Sequence, residues 1–247
     1  MTETAAVGGT STSPEIHHTH RDVSGGRLRP IVFGAMDGVI SNSALIAGIA
    51  AAGASAHAVI LTGVVGLLSG SFSMAVGEYT SVRSQTELVQ AEIAKERFEI
   101  TRSPQAEEAE LAAIFRHRGL PRELATRVAH EVSKDPDEVW RVHVREELGV
   151  DPDEQPSPYV AAIASLITFC AGALVPLVPY LLGANRVVWS LVFGAVALVL
   201  LGVAVARFTG LGARSQVRGA VRQLVLGGAA FAVAFGVGAA MGVGSSG

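Results

Sequence analysis

The chain has 247 residues, 49% of them hydrophobic and only 17% charged, with a formal net charge of −3 and a mean hydropathy of +0.42. A water-soluble domain usually carries about 25% charged residues, so the composition turns away from a soluble enzyme and toward a membrane protein. The one cysteine, Cys170, excludes a disulfide framework within the chain.

Residues 1–29 are rich in Thr, Ser, Gly and His and lack apolar periodicity, which predicts a disordered tail. His17, His18 and His20 could hold a metal weakly there. Crossing about 30 Å of hydrocarbon takes about 20 apolar residues. Five segments meet that requirement: Ile31–Ala56, Val59–Gly77, Tyr159–Gly183, Val187–Ala206 and Leu224–Val243. The first lies too far from the N-terminus, and is too long, for a signal peptide.

Basic residues predict the orientation. Arg21, Arg27 and Arg29 precede span one, and Arg207, Arg214, Arg218 and Arg222 fall between spans four and five. The connection between spans one and two has no Lys or Arg, and Gly244 to Gly247 have none. The positive-inside rule then places the N-terminus in the cytosol and the C-terminus outside.

Asp37 interrupts span one. A charge at membrane depth costs from about 3 to more than 10 kcal/mol, and such residues mark ion or proton paths. Asn42 and Ser43 follow within two turns and could add polar lining. Spans one and two are rich in small residues, including Gly34 and Gly38, then Gly63, Gly66, Gly70, Ser71 and Ser73. Close helix approach is expected there, between the two spans or across a subunit interface. Met74 sits in this small-residue stretch as a soft thioether.

No Pro or Gly interrupts residues 78–103, so span two should run on as one helix beyond the membrane. Ser103-Pro104 reads as a helix restart, Gly119-Leu120-Pro121 as an end and a new start, and Asp135-Pro136-Asp137-Glu138 as a capping-box start. Gly149 is the expected C-cap. Residues 83–158 thus read as a small helical bundle, cytosolic by the same orientation. It holds 11 Lys and Arg against 17 Asp and Glu, a formal charge of −6, which argues against nucleic acid and against docking on anionic lipid. Span three carries Pro176 and Pro179, which predict a kink or a helix end.

Residues at i, i+4 and i+7 share a helix face. Glu92, Glu96 and Glu99 do so, as do Glu107 with Glu110 and His143 with Glu147. Three helices offering carboxylates and an imidazole could hold Fe2+, Mn2+, Co2+ or Zn2+. The same carboxylates could instead be solvated and paired with Arg97, Arg102, Arg116 and Arg145.

Two stretches carry a family likeness. Gly34-Ala35-Met36-Asp37-Gly38-Val39-Ile40-Ser41-Asn42 and Gly70-Ser71-Phe72-Ser73-Met74-Ala75-Val76-Gly77-Glu78-Tyr79 resemble the signature helices of the vacuolar iron transporter family, over roughly residues 30–245. The resemblance implies a homodimer that exports Fe2+ and related divalent metals in exchange for protons. It implies a path lined by Asp37 and Met74. It also implies cytosolic ligands at Glu96 and Glu99, Glu107 and Glu110, and Glu147 before Leu148. The family pattern often has two Met residues shortly before that last Glu. This chain has His143 and Val144, which shifts the expected preference toward ions that favour imidazole.

The expected fold is therefore an all-α membrane protein. Residues 30–82 form spans one and two, 83–158 an acidic cytosolic metal-binding domain, and 159–247 spans three to five. No resident cofactor is expected: the metal is cargo, and the partners are a second copy, divalent ions, protons and the lipid bilayer. The lack of sorting signals fits a bacterial plasma membrane, with a eukaryotic organelle membrane as the alternative. An alternative is a membrane-anchored metal sensor that does not transport. A di-iron enzyme would need Glu-x-x-His motifs on paired helices, and residues 83–158 contain none.

Overall fold

The computed structural model describes residues 28–208 and 213–243, and all regular structure among them is helical. Residues 1–27, with the three tail histidines, therefore lie outside the described residues, whereas Leu28 and Arg29, expected in the disordered tail, begin the first helix. The order is α1 Leu28–Ala51, α2 Ala56–Arg102, α3 Pro104–His117, α4 Arg122–Val132, α5 Val139–His143, α6 Pro158–Leu181, α7 Val187–Phe208 and α8 Ala213–Val243. A π-helical turn, Val144–Leu148, continues α5. Five helices, α1, α2, α6, α7 and α8, are long and apolar enough to cross a membrane.

Span one is shorter than its apolar run. The helix ends at Ala51, and a turn through Gly53, with φ +84°, returns the chain to α2. Ser55 caps α2 by accepting from the Ala58 amide. The 47 residues of α2 make one uninterrupted helix about 70 Å long. Its apolar part ends near Gly77, and Glu96 lies about 28 Å further on, outside the membrane-spanning segment. Tyr79 of α2 and Tyr159 of α6 meet there with ring centroids 5.3 Å apart, the place where amphipathic rings suit a membrane–water boundary.

The small residues of spans one and two mostly meet α6 rather than each other. A Cβ on Gly38 would lie 2.3 Å from the Phe169 carbonyl oxygen, and one on Gly172 would lie 2.2 Å from that of Ala35. Backbones this close admit only hydrogen at those positions. Spacing in one helix reports that something approaches closely and does not say what. The contacts set directions: Gly34 faces Thr168, Gly63 faces Leu177 and Gly202 faces Ala220. So α1, α6 and α8 run one way, and α2 and α7 the other. Ile46, Val59, Leu177 and Tyr180 form the buried apolar core at the far end of this bundle.

Two expectations change on α6 and α8. Pro176 and Pro179 sit inside α6, which continues to Leu181. Arg214, Arg218 and Arg222 lie on α8 rather than in a loop. At i, i+4 and i+8 they occupy one exposed stripe, where long side chains can carry their charge toward water.

Between α2 and α6, the helices α3, α4 and α5 pack around Leu111, Ala112 and Ala129, with Phe115, Val132 and Val142 against them. Ser103 and Pro104 begin α3 as expected, although no side-chain cap forms. The capping box at Asp135 does not form either. Glu138 occupies the N-cap, and Asp135 Oδ1 instead accepts from the Asp137 amide. Gly149 ends the π turn in the left-handed region, with φ 65°.

Candidate functional site

Two groups of polar residues stand out, one beyond the membrane-spanning part of α2 and one within it. In the first, Glu96 of α2, Glu107 of α3, His143 of α5 and Glu147 of the π turn converge, each offering one ligand atom, all within 4.8 Å of one another. A metal with bonds of about 2.1 Å sets opposed ligands about 4.2 Å apart, so a small contraction of side chains would close the group on one ion. Ile93 and Ile100 flank Glu96 on α2, and Leu111 follows Glu107 by one turn. The apolar neighbours turn both carboxylates inward. The π turn widens the last helix where Glu147 must reach His143, a distortion that recurs at functional sites.

His143 is fully buried, and Glu96 and Glu107 are only 9% exposed. His143 Nδ1 lies 2.9 Å from Glu96 Oε1, 2.9 Å from Glu147 Oε1 and 3.8 Å from Glu107 Oε2. One ring proton cannot serve three carboxylates. Nδ1 makes its hydrogen bond with Glu147 Oε1, which leaves the nearby Glu96 Oε1 and the buried His143 Nε2 without one. Burial, then the nearby Glu147, pushes the Glu96 carboxyl up to about 7. Burial, then Glu110, pushes that of Glu107 up as well. Three carboxylates crowded around a single imidazole form the donor set a divalent cation satisfies.

The arginines near these residues in sequence face elsewhere. Arg97 stacks on Trp140 at 3.8 Å, Arg102 lies 5.9 Å over Phe98, and Arg145 pairs with Asp151 at 3.1 Å. Among the described residues, Arg116 forms no ion pair with Glu96, Glu107 or Glu147. Arg118, which sequence spacing did not single out, holds Glu146 at 2.6 Å and so ties the π turn to the end of α3. Glu92, Glu99 and Glu110 fall outside the four-residue group. Glu99 and Glu110 still act on it through charge, since both raise the Glu107 carboxyl.

The second group lies in the membrane-spanning bundle. Asp37 and Ser41 of α1 and Ser73 and Met74 of α2 line one cavity of about 290 Å3, with Asn42, Leu45, Gly66, Gly70 and Phe169. Ser41 Oγ donates to Asp37 Oδ1 at 2.7 Å, which orients the carboxylate. Gly66 and Gly70 let Leu45 of α1 and the Phe169 ring of α6 pack against the α2 backbone along this cavity. The arrangement offers a hard oxygen and a soft sulfur to one ion, a set suited to a borderline divalent metal. Ser43, also expected as lining, sits instead against Gly194 of α7.

The family model described as the VIT family matches residues 28–239. Vacuolar iron transporter 1 of Arabidopsis thaliana is 30% identical over 223 residues, covering 89% of this chain and 88% of the relative. The vacuolar iron transporter of Acanthamoeba castellanii is 34% identical over 217 residues, covering 86% and 78%. Vacuolar iron transporter 1 of Eucalyptus grandis is 30% identical over 226 residues, covering 90% and 88%. These eukaryotic relatives give no support to the bacterial plasma membrane expected from the sequence. With that match across both groups of polar residues and all five long apolar helices, the chain belongs to the VIT family.

Proposed function

We propose that this protein exports Fe2+, and with it Mn2+, Co2+ or Zn2+, from the cytosol across a membrane in exchange for protons. One observation carries the reading: Asp37 and Met74, from two separate apolar helices, line a single cavity at membrane depth. A carboxylate is retained at such a depth when an ion or proton needs it. Relatives named as vacuolar iron transporters support a metal as cargo.

Arg29, at the start of α1, and Arg214, at the start of α8, share one end of the bundle, which favours that end as cytosolic. Residues 83–158 then face the cytosol. There, Glu96, Glu107, His143 and Glu147 would gather M2+ with support from Glu92, Glu99 and Glu110, and pass it to Asp37 and Met74. A proton arriving at Asp37 from the opposite side would neutralise the carboxylate and weaken its hold on the ion. The cavity opens on the surface of the single chain, where lipid would otherwise meet Asp37. A second copy packed on that face would close it, in a homodimer with the path between subunits.

The test is flux. Purified protein in liposomes, loaded with a metal-sensitive dye under an imposed proton gradient, should take up Fe2+ in a gradient-dependent way, and Asp37→Ala should abolish that uptake. Metal binding without flux for every divalent ion would overturn transport and leave a sensor.

A further inference from the structure

We infer that Asn42 is a third ligand on the intramembrane path, and that its neutral amide oxygen biases the path toward oxygen-seeking ions. The inference rests on the transport reading above. Asn42 lies five residues beyond Asp37, about 7.5 Å further along α1. It is 2% exposed. A buried primary amide normally satisfies both of its ends, since an unmet polar group in an apolar bundle is costly.

Only one end of Asn42 is met. Its Nδ2 donates to the Ala173 carbonyl of α6 at 2.6 Å. A carbonyl accepts and cannot donate, so this contact fixes which way the amide points. Oδ1 is thereby turned from α6 toward α2. It is buried and has no hydrogen-bond partner. Across from it stands Gly66, where a Cβ would come within 3.3 Å of Oδ1. Asn42 and Gly66 line the same cavity as Asp37 and Met74. The amide is thus anchored by its nitrogen, and its oxygen faces Gly66 across the cavity, beside the Leu45 side chain that packs where a Cβ would stand.

The chemistry of an amide oxygen suits a point of passage. It is a hard donor, yet it adds no negative charge, so it helps strip water from the ion without trapping it as a second carboxylate would. Asp37 binds through charge and Met74 through a soft sulfur. Asn42 adds oxygen, and Mn2+ values oxygen ligands more than Co2+ or Zn2+ does.

Initial rates over a range of Mn2+ and Co2+ concentrations, in liposomes carrying wild type, Asn42→Leu or Asn42→Asp, test the inference. Asn42→Leu should raise KM for Mn2+ by about tenfold and KM for Co2+ by about threefold or less. Asn42→Asp, which restores an oxygen, should bring KM for Mn2+ back to the wild-type value or below. The same rise for both metals, or a lower maximal rate and a lower Tm at unchanged KM, would make Asn42 a bolt between α1 and α6 and overturn the inference. A wild type that moves neither metal would overturn the transport reading itself, and this inference with it.

Discussion

The two polar groups differ in how complete they are within one chain. Glu96, Glu107, His143 and Glu147 converge from α2, α3, α5 and the π turn beside the apolar cluster of Leu111 and Ala129. His143 and Glu96 are buried there and Glu147 stays exposed at the rim, so the group is closed on all sides but one. Asp37 and Met74 come from two neighbouring helices and line a cavity that stays open on one side. The closed group crowds three carboxylates around one imidazole and raises the Glu96 carboxyl. The open group keeps a single carboxylate beside a serine hydroxyl. Under the proposed function the contrast would separate holding from passing: a site that stores an ion collects charge, and a site that releases one keeps charge to a minimum.

Four measurements would break or sharpen this contrast. The largest effect is expected at Asp37. Loss of an outer-shell partner alone costs about 10–100-fold at metal sites, so Asp37→Asn should lower proton-driven uptake into liposomes by at least about 100-fold. Metal binding by the acidic group should survive in that variant. If flux persists with its proton dependence intact, the passing role of Asp37 is wrong. Second, adding Glu96→Gln to Asp37→Asn should weaken metal binding by the full-length protein about 10–100-fold in an equilibrium titration. An unchanged titration would show that the four residues do not hold the ion together.

The third measurement uses pH. The Glu96 carboxyl keeps its proton up to about 7 in the fold, against an ordinary value of 4.5. Between those values the folded state binds more protons than the unfolded chain, so metal-free stability should fall as pH rises from about 4.5 through about 7. Glu107 acts in the same direction. Metal affinity should rise over the same range, because ligands must shed protons to bind. Thermal unfolding with a chelator present should show the slope, and Glu96→Gln should flatten it; a slope unchanged in the variant would assign it elsewhere. The smallest effect is expected for Arg97→Met, which keeps the apolar stem but loses the charge over Trp140. It should cost about 0.5–1 kcal/mol and lower Tm by a few degrees, with metal affinity almost unchanged. A large loss of affinity would mean that the Arg97–Trp140 contact positions the ligands.

Much of the architecture is legible in the residues. Apolar runs of sufficient length mark the five long helices, and the absence of Gly and Pro over residues 78–103 marks the extension of α2. Pro104 and Gly149 mark two helix ends by their backbone preferences. Other features depend on partners the sequence does not name. Helical spacing puts Glu92, Glu96 and Glu99 on one face, but crossing helices meet over about one turn, so only Glu96 enters the group. Hydropathy starts span five at Leu224, because Arg214, Arg218 and Arg222 mask the helix to which they belong. His143 and Glu147 were visible from their i, i+4 spacing, whereas the oxygen of Asn42 acquires meaning only once its nitrogen is seen to be taken by α6.

One consequence concerns mechanics. Met74 and Glu96 stand on the same unbroken helix, 22 residues and about 33 Å apart, with no Pro and only Gly77 as a glycine between them. A rod of that length tilted by about 5° moves its far end by about 3 Å, more than the length of a metal–oxygen bond. Any rearrangement that draws Glu96 toward Glu107 and Glu147 therefore applies torque to the stretch of α2 that holds Met74. The acidic group and the cavity that holds Met74 are two ends of one lever.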